Sequence, residues 1–199
     1  MALCAVRDDA VRQRDARDAA EAALARRGAR RADGCPRPGA GRGSDAVPYE
    51  HLTPDVIASA VESYGFETTG SILGLASYEN RVYQIGVAEG FVVVKFYRPG
   101  RWTTDAILEE HEFALELAAQ DIPVVPPIVH DAESLHEQDG YRFAVYERRG
   151  GRWPELGTSE DREWLGRFLG RIHAVGATRR FTERPTLDRE EMGARAAEH

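Results

Sequence analysis

Phe91-Val92-Val93-Val94-Lys95-Phe96-Tyr97 is the most apolar run of the chain, and it holds the chain's single lysine among 25 arginines. Where almost every other basic position is arginine, the surviving lysine marks a place that a guanidinium does not suit. An ammonium is a compact point charge on a flexible stem, whereas a guanidinium is a wide planar fork. A cation in a strand core is costly unless an anion or a phosphate pairs with it. This is the setting of a nucleotide-binding lysine, so the first expectation is a kinase-type ATP site. The alternative is an edge-strand lysine that extends its head along its methylene stem to water.

The flanking sequence supplies a frame for that strand. Thr53-Pro54-Asp55 reads as N-cap, first helical residue and dipole-compatible acid. Val56, Ile57, Ala60, Val61 and Tyr64 then line one helical face up to Gly65. Strands follow at 72–76, 81–87 and 91–97, as an antiparallel meander. Thr103 or Thr104 caps a helix that runs to about Gln120. The stretch 122–129 is apolar but carries Pro123, Pro126 and Pro127, so it reads as an edge-like strand. Asp139-Gly140 turns into a fifth strand over 141–147. Gly150-Gly151 punctuates the chain like a hinge, and Ser159 caps a last helix. Trp164, Leu165, Phe168, Leu169 and Ile172 share one face of it, with His173 at its end as a capping or core histidine.

On a wheel at 100° per residue, the helix after Lys95 puts Ile107, Ala114, Leu117 and Ala118 on its apolar side. Glu109, Glu112 and Glu116 cluster opposite, as solvated carboxylates would. Glu110 instead falls between Leu117 and Ala114. A carboxylate there needs a cation, and Lys95 is the obvious one. Such a pair would aim the ammonium at the α and β phosphates of ATP. The plainer reading leaves Glu110 at the solvent border or paired with a local arginine. If the pair is fully buried, removing Lys95 costs about 3–5 kcal/mol. The turn Ala76-Ser77-Tyr78-Glu79-Asn80-Arg81 stands where a protein kinase has a glycine-rich loop, and offers amides and the Ser77 hydroxyl to phosphate. Tyr146 and Glu147, on the strand before the hinge, are candidates to meet an adenine edge, or are simply the end of a core strand.

The stretches 77–84, 94–102 (Val94-Lys95-Phe96-Tyr97-Arg98-Pro99-Gly100-Arg101-Trp102) and Ile107-Leu108-Glu109-Glu110-His111 resemble the stress response kinase A family. Gly150-Gly151-Arg152, Leu169-Gly170-Arg171-Ile172-His173 and Arg184-Pro185-Thr186 continue the likeness, which covers about residues 50–190. These are bacterial serine/threonine protein kinases with the fold of aminoglycoside phosphotransferases and choline kinases. The resemblance implies an α+β architecture: a protein-kinase-like N-lobe, with a five-stranded antiparallel sheet and a C-type helix, then the start of a helical C-lobe. It also implies that Ser77 contacts ATP, that Lys95 meets the phosphates and that Glu110 orients Lys95. Protein substrates and magnesium belong to the same implication.

Residues 1–47 are rich in Ala, Arg, Asp and Gly and carry a net charge of +3, against −10 for residues 48–199. The tail lacks the apolar content to order itself beyond a frayed helix over 8–27, and it reads as an upstream extension of the frame. The expected division is tail 1–47, kinase-like lobe 48–149, and hinge with the beginning of a C-lobe 150–199. An acidic main portion is a poor partner for nucleic acid, and no apolar stretch approaches the length of a membrane helix. Cys4 and Cys35 have neither metal-ligand nor CxxC spacing, and the cytoplasm is the default.

Kinases of this kind carry a later His-Gly-Asp-x-x-x-x-Asn loop and a second metal-binding aspartate. None of the six histidines precedes Gly-Asp, Asn80 is the only asparagine, and Asp188 is the only aspartate after His173. The expectation is therefore the ATP-binding portion of a serine/threonine protein kinase, truncated before its catalytic loop and with no catalytic or metal residue of its own. The alternatives are a fragment of an aminoglycoside- or choline-type phosphotransferase and a non-catalytic scaffold module.

Overall fold

A computed structural model describes residues 49–151 and 155–186. The tail over 1–47, with its two cysteines, lies outside the described residues, as do Arg152 and Asp188. Helix α1 (Pro54–Glu62) starts as its sequence demands, with the Thr53 hydroxyl accepting from the Val56 amide at 3.3 Å. Gly65, at φ +80°, then turns the chain where a side chain would be strained. The strands are β1 (Thr68–Leu75), β2 (Arg81–Val87), β3 (Gly90–Phe96), β4 (His136–Gln138) and β5 (Tyr141–Glu147). They form one antiparallel sheet in the order β1-β2-β3-β5-β4. Between β3 and β4 runs α2 (Thr104–Ala119), and α3 (Ser159–Gly176) follows β5. No helix among the described residues is long and apolar enough to cross a membrane.

β3 is the middle strand, bonded on one side to β2 and on the other to β5. That removes the edge-strand alternative for Lys95. Alternation splits the strand's side chains between two faces. Val92, Val94 and Phe96 point toward α1 and are buried with Ile57, Val61, Ile85 and Phe143. Val93 and Lys95 point the other way, toward α2. Tyr97, just past the strand end, continues that second face and packs with Ile107 and Ala144. One face of the sheet is thus a closed hydrophobic core, and the other carries a charge.

Three boundaries differ from the sequence reading. β1 begins four residues earlier, at Thr68, because β2 offers it an edge to pair with although Thr69, Gly70 and Ser71 have no apolar alternation. The stretch 122–129 is no strand: three prolines without amides leave it one isolated bridge, Pro127 to Tyr146, and an Ile128 amide bond to Val145. The strand that takes its place is β4, short and polar, paired through the Asp139-Gly140 turn, where φ is 49° and 80°, with β5, the strand expected over 141–147. The last helix is capped by Thr158, one residue before Ser159, in a reciprocal box with Asp161.

Gly86 is required by its neighbours rather than by its dihedrals. A Cβ there would lie 2.4 Å from Thr69 Oγ1 and 3.0 Å from Ser71 Cβ, on the adjoining strand. Gly86→Val should therefore lower stability by roughly 1–3 kcal/mol through overpacking. Thermal denaturation checks this, and an unchanged melting temperature would mean that β1 stands away from β2 at this point.

Candidate functional site

Lys95 lies opposite Val82 on β2 and Ala144 on β5, under the first half of α2. Its Nζ donates to Glu110 Oε1 at 2.9 Å and sits 4.5 Å from the centroid of the Tyr97 ring. Burial lowers the ammonium pKa to about 8, and the nearby Arg184 guanidinium adds to the effect. The two charged groups that stood out in the sequence are therefore joined.

The environment of Glu110 is wetter than its wheel position suggested. Its side chain is 38% exposed, and its second oxygen, Oε2, makes an ion pair with Arg184. The solvent-border part of the plainer reading holds alongside the lysine pair, whereas the arginine that Glu110 meets is not local but distant in sequence.

Beneath the pair lies a buried polar chain. Tyr97 Oη is 2.6 Å from His111 Nε2, Ser134 Oγ is 2.9 Å from His111 Nδ1, and Tyr146 Oη is 3.2 Å from Tyr97 Oη. His111 is 1% exposed. Burial, with Lys95 as a lesser cause, lowers its pKa to about 3, so the imidazole is neutral with one ring nitrogen as acceptor. Burial raises both phenols as well. His111 follows Glu110 directly, yet nothing in its spacing announced a buried role.

The outer face of α2 departs most from expectation. Glu109 is 1% exposed rather than solvated, and accepts the amides of Thr182, Glu183 and Arg184 at 2.7, 3.0 and 2.9 Å. Arg179 pairs with Glu112 at 3.4 Å and with Glu116 at 2.9 Å. The cause is a second layer, because the chain after α3 doubles back over α2. His173, in the last turn of α3, is exposed, so of its two expected roles the helix-end position fits and the core one does not. Of the apolar face expected on α3, Phe168 and Ile172 pack against Leu117 and Ile122, while Trp164 and Leu169 are exposed.

A cavity of about 390 Å³ opens beside the pair, within the range of small-molecule sites. Lys95, Glu110, His111, Tyr146 and Glu147 contribute to its wall, and Val82, Val93, Ala114, Val125 and Pro127 supply apolar surface. Four of the five residues singled out in the sequence thus share one cleft. Ser77 is not among its walls: its hydroxyl donates to Asn80 O at 2.8 Å within its own turn. That turn is braced by Glu79, whose carboxylate accepts from Arg101 Nε at 2.9 Å and Trp102 Nε1 at 2.8 Å. The bond from Arg101 holds the Glu79 carboxyl below its usual range. Tyr146 directs its hydroxyl into the buried chain, and Glu147 pairs with Arg149 at 2.7 Å. The cleft thus joins apolar surface to two cations, Lys95 paired with Glu110 and Arg149 paired with Glu147. No cluster of three or more His, Cys, Asp or Glu able to hold a metal occurs among the described residues.

Residues 71–199 match the family model described as "Phosphotransferase enzyme family". Stress response kinase A of Escherichia coli is 41% identical over 145 residues, covering 72% of this chain and 44% of that protein. The Shigella flexneri protein of the same name is 42% identical over the same length, with the same coverage. A Salmonella typhimurium protein named serine/threonine protein kinase RdoA is 40% identical over 144 residues, covering 72% of this chain and 44% of its own. The chain spans less than half the length of these curated relatives. Among solved structures, the amicoumacin kinase hAmiN, in complex with AMP-PNP, Ca2+ and Ami, superposes with a TM-score of 0.55 at 20% identity. The match covers 68% of this chain and 42% of that one, and establishes a shared kinase-like fold.

Two outcomes follow from the geometry. Because Glu110 keeps Arg184 and is partly in water, Lys95→Ala should cost less than about 1 kcal/mol, not the larger value of a fully buried pair. A loss of 3 kcal/mol or more in denaturant titration would contradict the shared carboxylate. His111 should make the fold acid-sensitive. Its pKa is about 3 when folded, against about 6.5 unfolded, so the unfolded chain takes up the proton first. The contribution is complete above about pH 6.5 and is lost as pH falls toward 3. His111→Gln should flatten the stability profile across that window by a few kcal/mol, measured as the difference from the unmodified chain.

Proposed function

Because the chain belongs to the phosphotransferase enzyme family, we propose that these residues hold ATP for a serine/threonine protein kinase of the stress-response type. The observation that carries the reading is the Lys95–Glu110 pair at 2.9 Å in the wall of an apolar cleft. A lysine held by a carboxylate presents a fixed positive charge to phosphate oxygens, and the valines and proline beside it offer flat apolar surface to a base. Tyr146 and Glu147 stand where the chain leaves β5 for the Gly150-Gly151 hinge, and their backbone groups are the proposed adenine contacts. Ser77 and the amides of its turn are the proposed outer phosphate contacts.

In this reading, residues 48–149 make the nucleotide-holding lobe and residues 150–199 begin a helical one. ATP supplies the phosphoryl group when bound. What these side chains do is bind, orient and partly desolvate the triphosphate. A protein substrate belongs to the reading through the relatives at 40–42% identity, which favour a protein kinase over a small-molecule phosphotransferase. A cytoplasmic setting follows from the dependence on ATP.

Titration of the purified chain with a fluorescent ATP analogue tests the proposal. Saturable binding is expected, weakened at least tenfold, or about 1.4 kcal/mol, by Lys95→Ala. Equal affinity in the two proteins would refute the assignment, and absence of any binding would favour a scaffold role. The same titration against pH has a defined sign. The charged ammonium is the binding form and its pKa is about 8, so affinity should fall as pH rises through 8 toward 10. Lys95→Arg should show no such decline.

A further inference from the structure

After α3, residues 177–186 return along α2 as a strap. Its hold is polar as well as apolar: three consecutive amides converge on Glu109, and Arg179 grips Glu112 and Glu116 while lying over the Phe181 ring. The strap delivers Arg184 to the open side of Glu110. There the guanidinium forms an ion pair with Glu110 Oε2, donates from Nε to the Ala106 carbonyl at 3.1 Å, and stacks 4.4 Å from the centroid of the Trp102 ring. Trp102 is fixed in turn, since its indole donates to Glu79 and its carbonyl accepts from Arg142 at 2.7 Å.

A carboxylate bound through one oxygen turns readily about its last torsion, which is broad and two-fold. Occupying the second oxygen removes that freedom and divides the anion's field between two cations. We infer that Arg184 is a positioning residue for Lys95: held by the strap, it locks the Glu110 carboxylate and leaves the lysine ammonium only partly neutralised toward an anionic ligand. The inference rests on the nucleotide-holding reading of Lys95 for its purpose, but not for its geometry. Arg184 is also close enough to act on Lys95 directly, its positive charge lowering the lysine pKa second to burial.

Lys95 is the only lysine, so reductive methylation with isotopically labelled methyl groups gives one side-chain signal besides the N-terminus. Its titration midpoint in the full chain, without nucleotide, reads the environment of the ammonium directly. Arg184→Gln should raise that midpoint by roughly one unit, because Glu110 then serves Lys95 alone. Glu109→Gln should move it the same way, by loosening the strap without altering Glu110 or Arg184. Both variants should bind the ATP analogue several-fold more weakly. A merely structural arginine would lower the melting temperature and leave the lysine signal in place. An unchanged midpoint in a folded Arg184→Gln chain overturns the inference. Should that variant not fold, Glu109→Gln is judged by the same criterion. Retained ATP binding in Lys95→Ala would refute the nucleotide reading while leaving a shifted midpoint as support for the clamp.

Discussion

One carboxylate joins the parts of this molecule. Glu110 takes Lys95 from the central strand on one oxygen and Arg184 from the strap on the other. Sheet, helix and returning chain therefore meet at a single anion. Neither cation on its own would need the other's element, but a shared partner makes the position of α2 depend on both. The pair is also not sealed from water, which keeps its contribution to stability modest and leaves its charge available to a ligand. A fully desolvated ion pair would hold more firmly and do less.

The sheet's two faces divide the work. Toward α1, Val92, Val94 and Phe96 bury against apolar partners and account for much of the fold's cohesion. Toward α2, the same strand presents Val93 and Lys95, over a floor of Tyr97, His111, Ser134 and Tyr146 linked by hydrogen bonds. Such a chain is tolerable in the interior only because its hydroxyls and ring nitrogens find one another, which ties the rotamer of each to the next.

Much of this was legible in the residues. Thr53-Pro54-Asp55, Asp139-Gly140 and the run over 91–97 carry their own local rules, and the structure follows them. The Lys95–Glu110 contact could be read because each charge sat where local periodicity placed an apolar residue. The failures on α2's outer face have one physical source. A helical wheel distinguishes the face toward the sheet from the face away from it, but contains no information about a layer that returns from 60 or more residues downstream. Glu109 thus read as solvated although three amides enclose it, and Arg184 read as a motif position without a partner. The stretch 122–129 misled for another reason: apolar content suggested a strand, and missing amides prevented one. His111 gave no signal, since a histidine among helical carboxylates looks the same whether wet or dry.

The turn between β1 and β2 is tethered at several points, through Glu79 to Arg101 and Trp102, through Asn80 to the Arg98 amide, and from Tyr49 to the Glu79 carbonyl. A glycine-rich flap closes on its ligand by losing freedom at the moment of contact. A turn anchored by side chains has surrendered that freedom during folding, so its ordering is no longer charged against each encounter. The turn is accordingly a fixed lintel at this end of the sheet rather than a flap that closes.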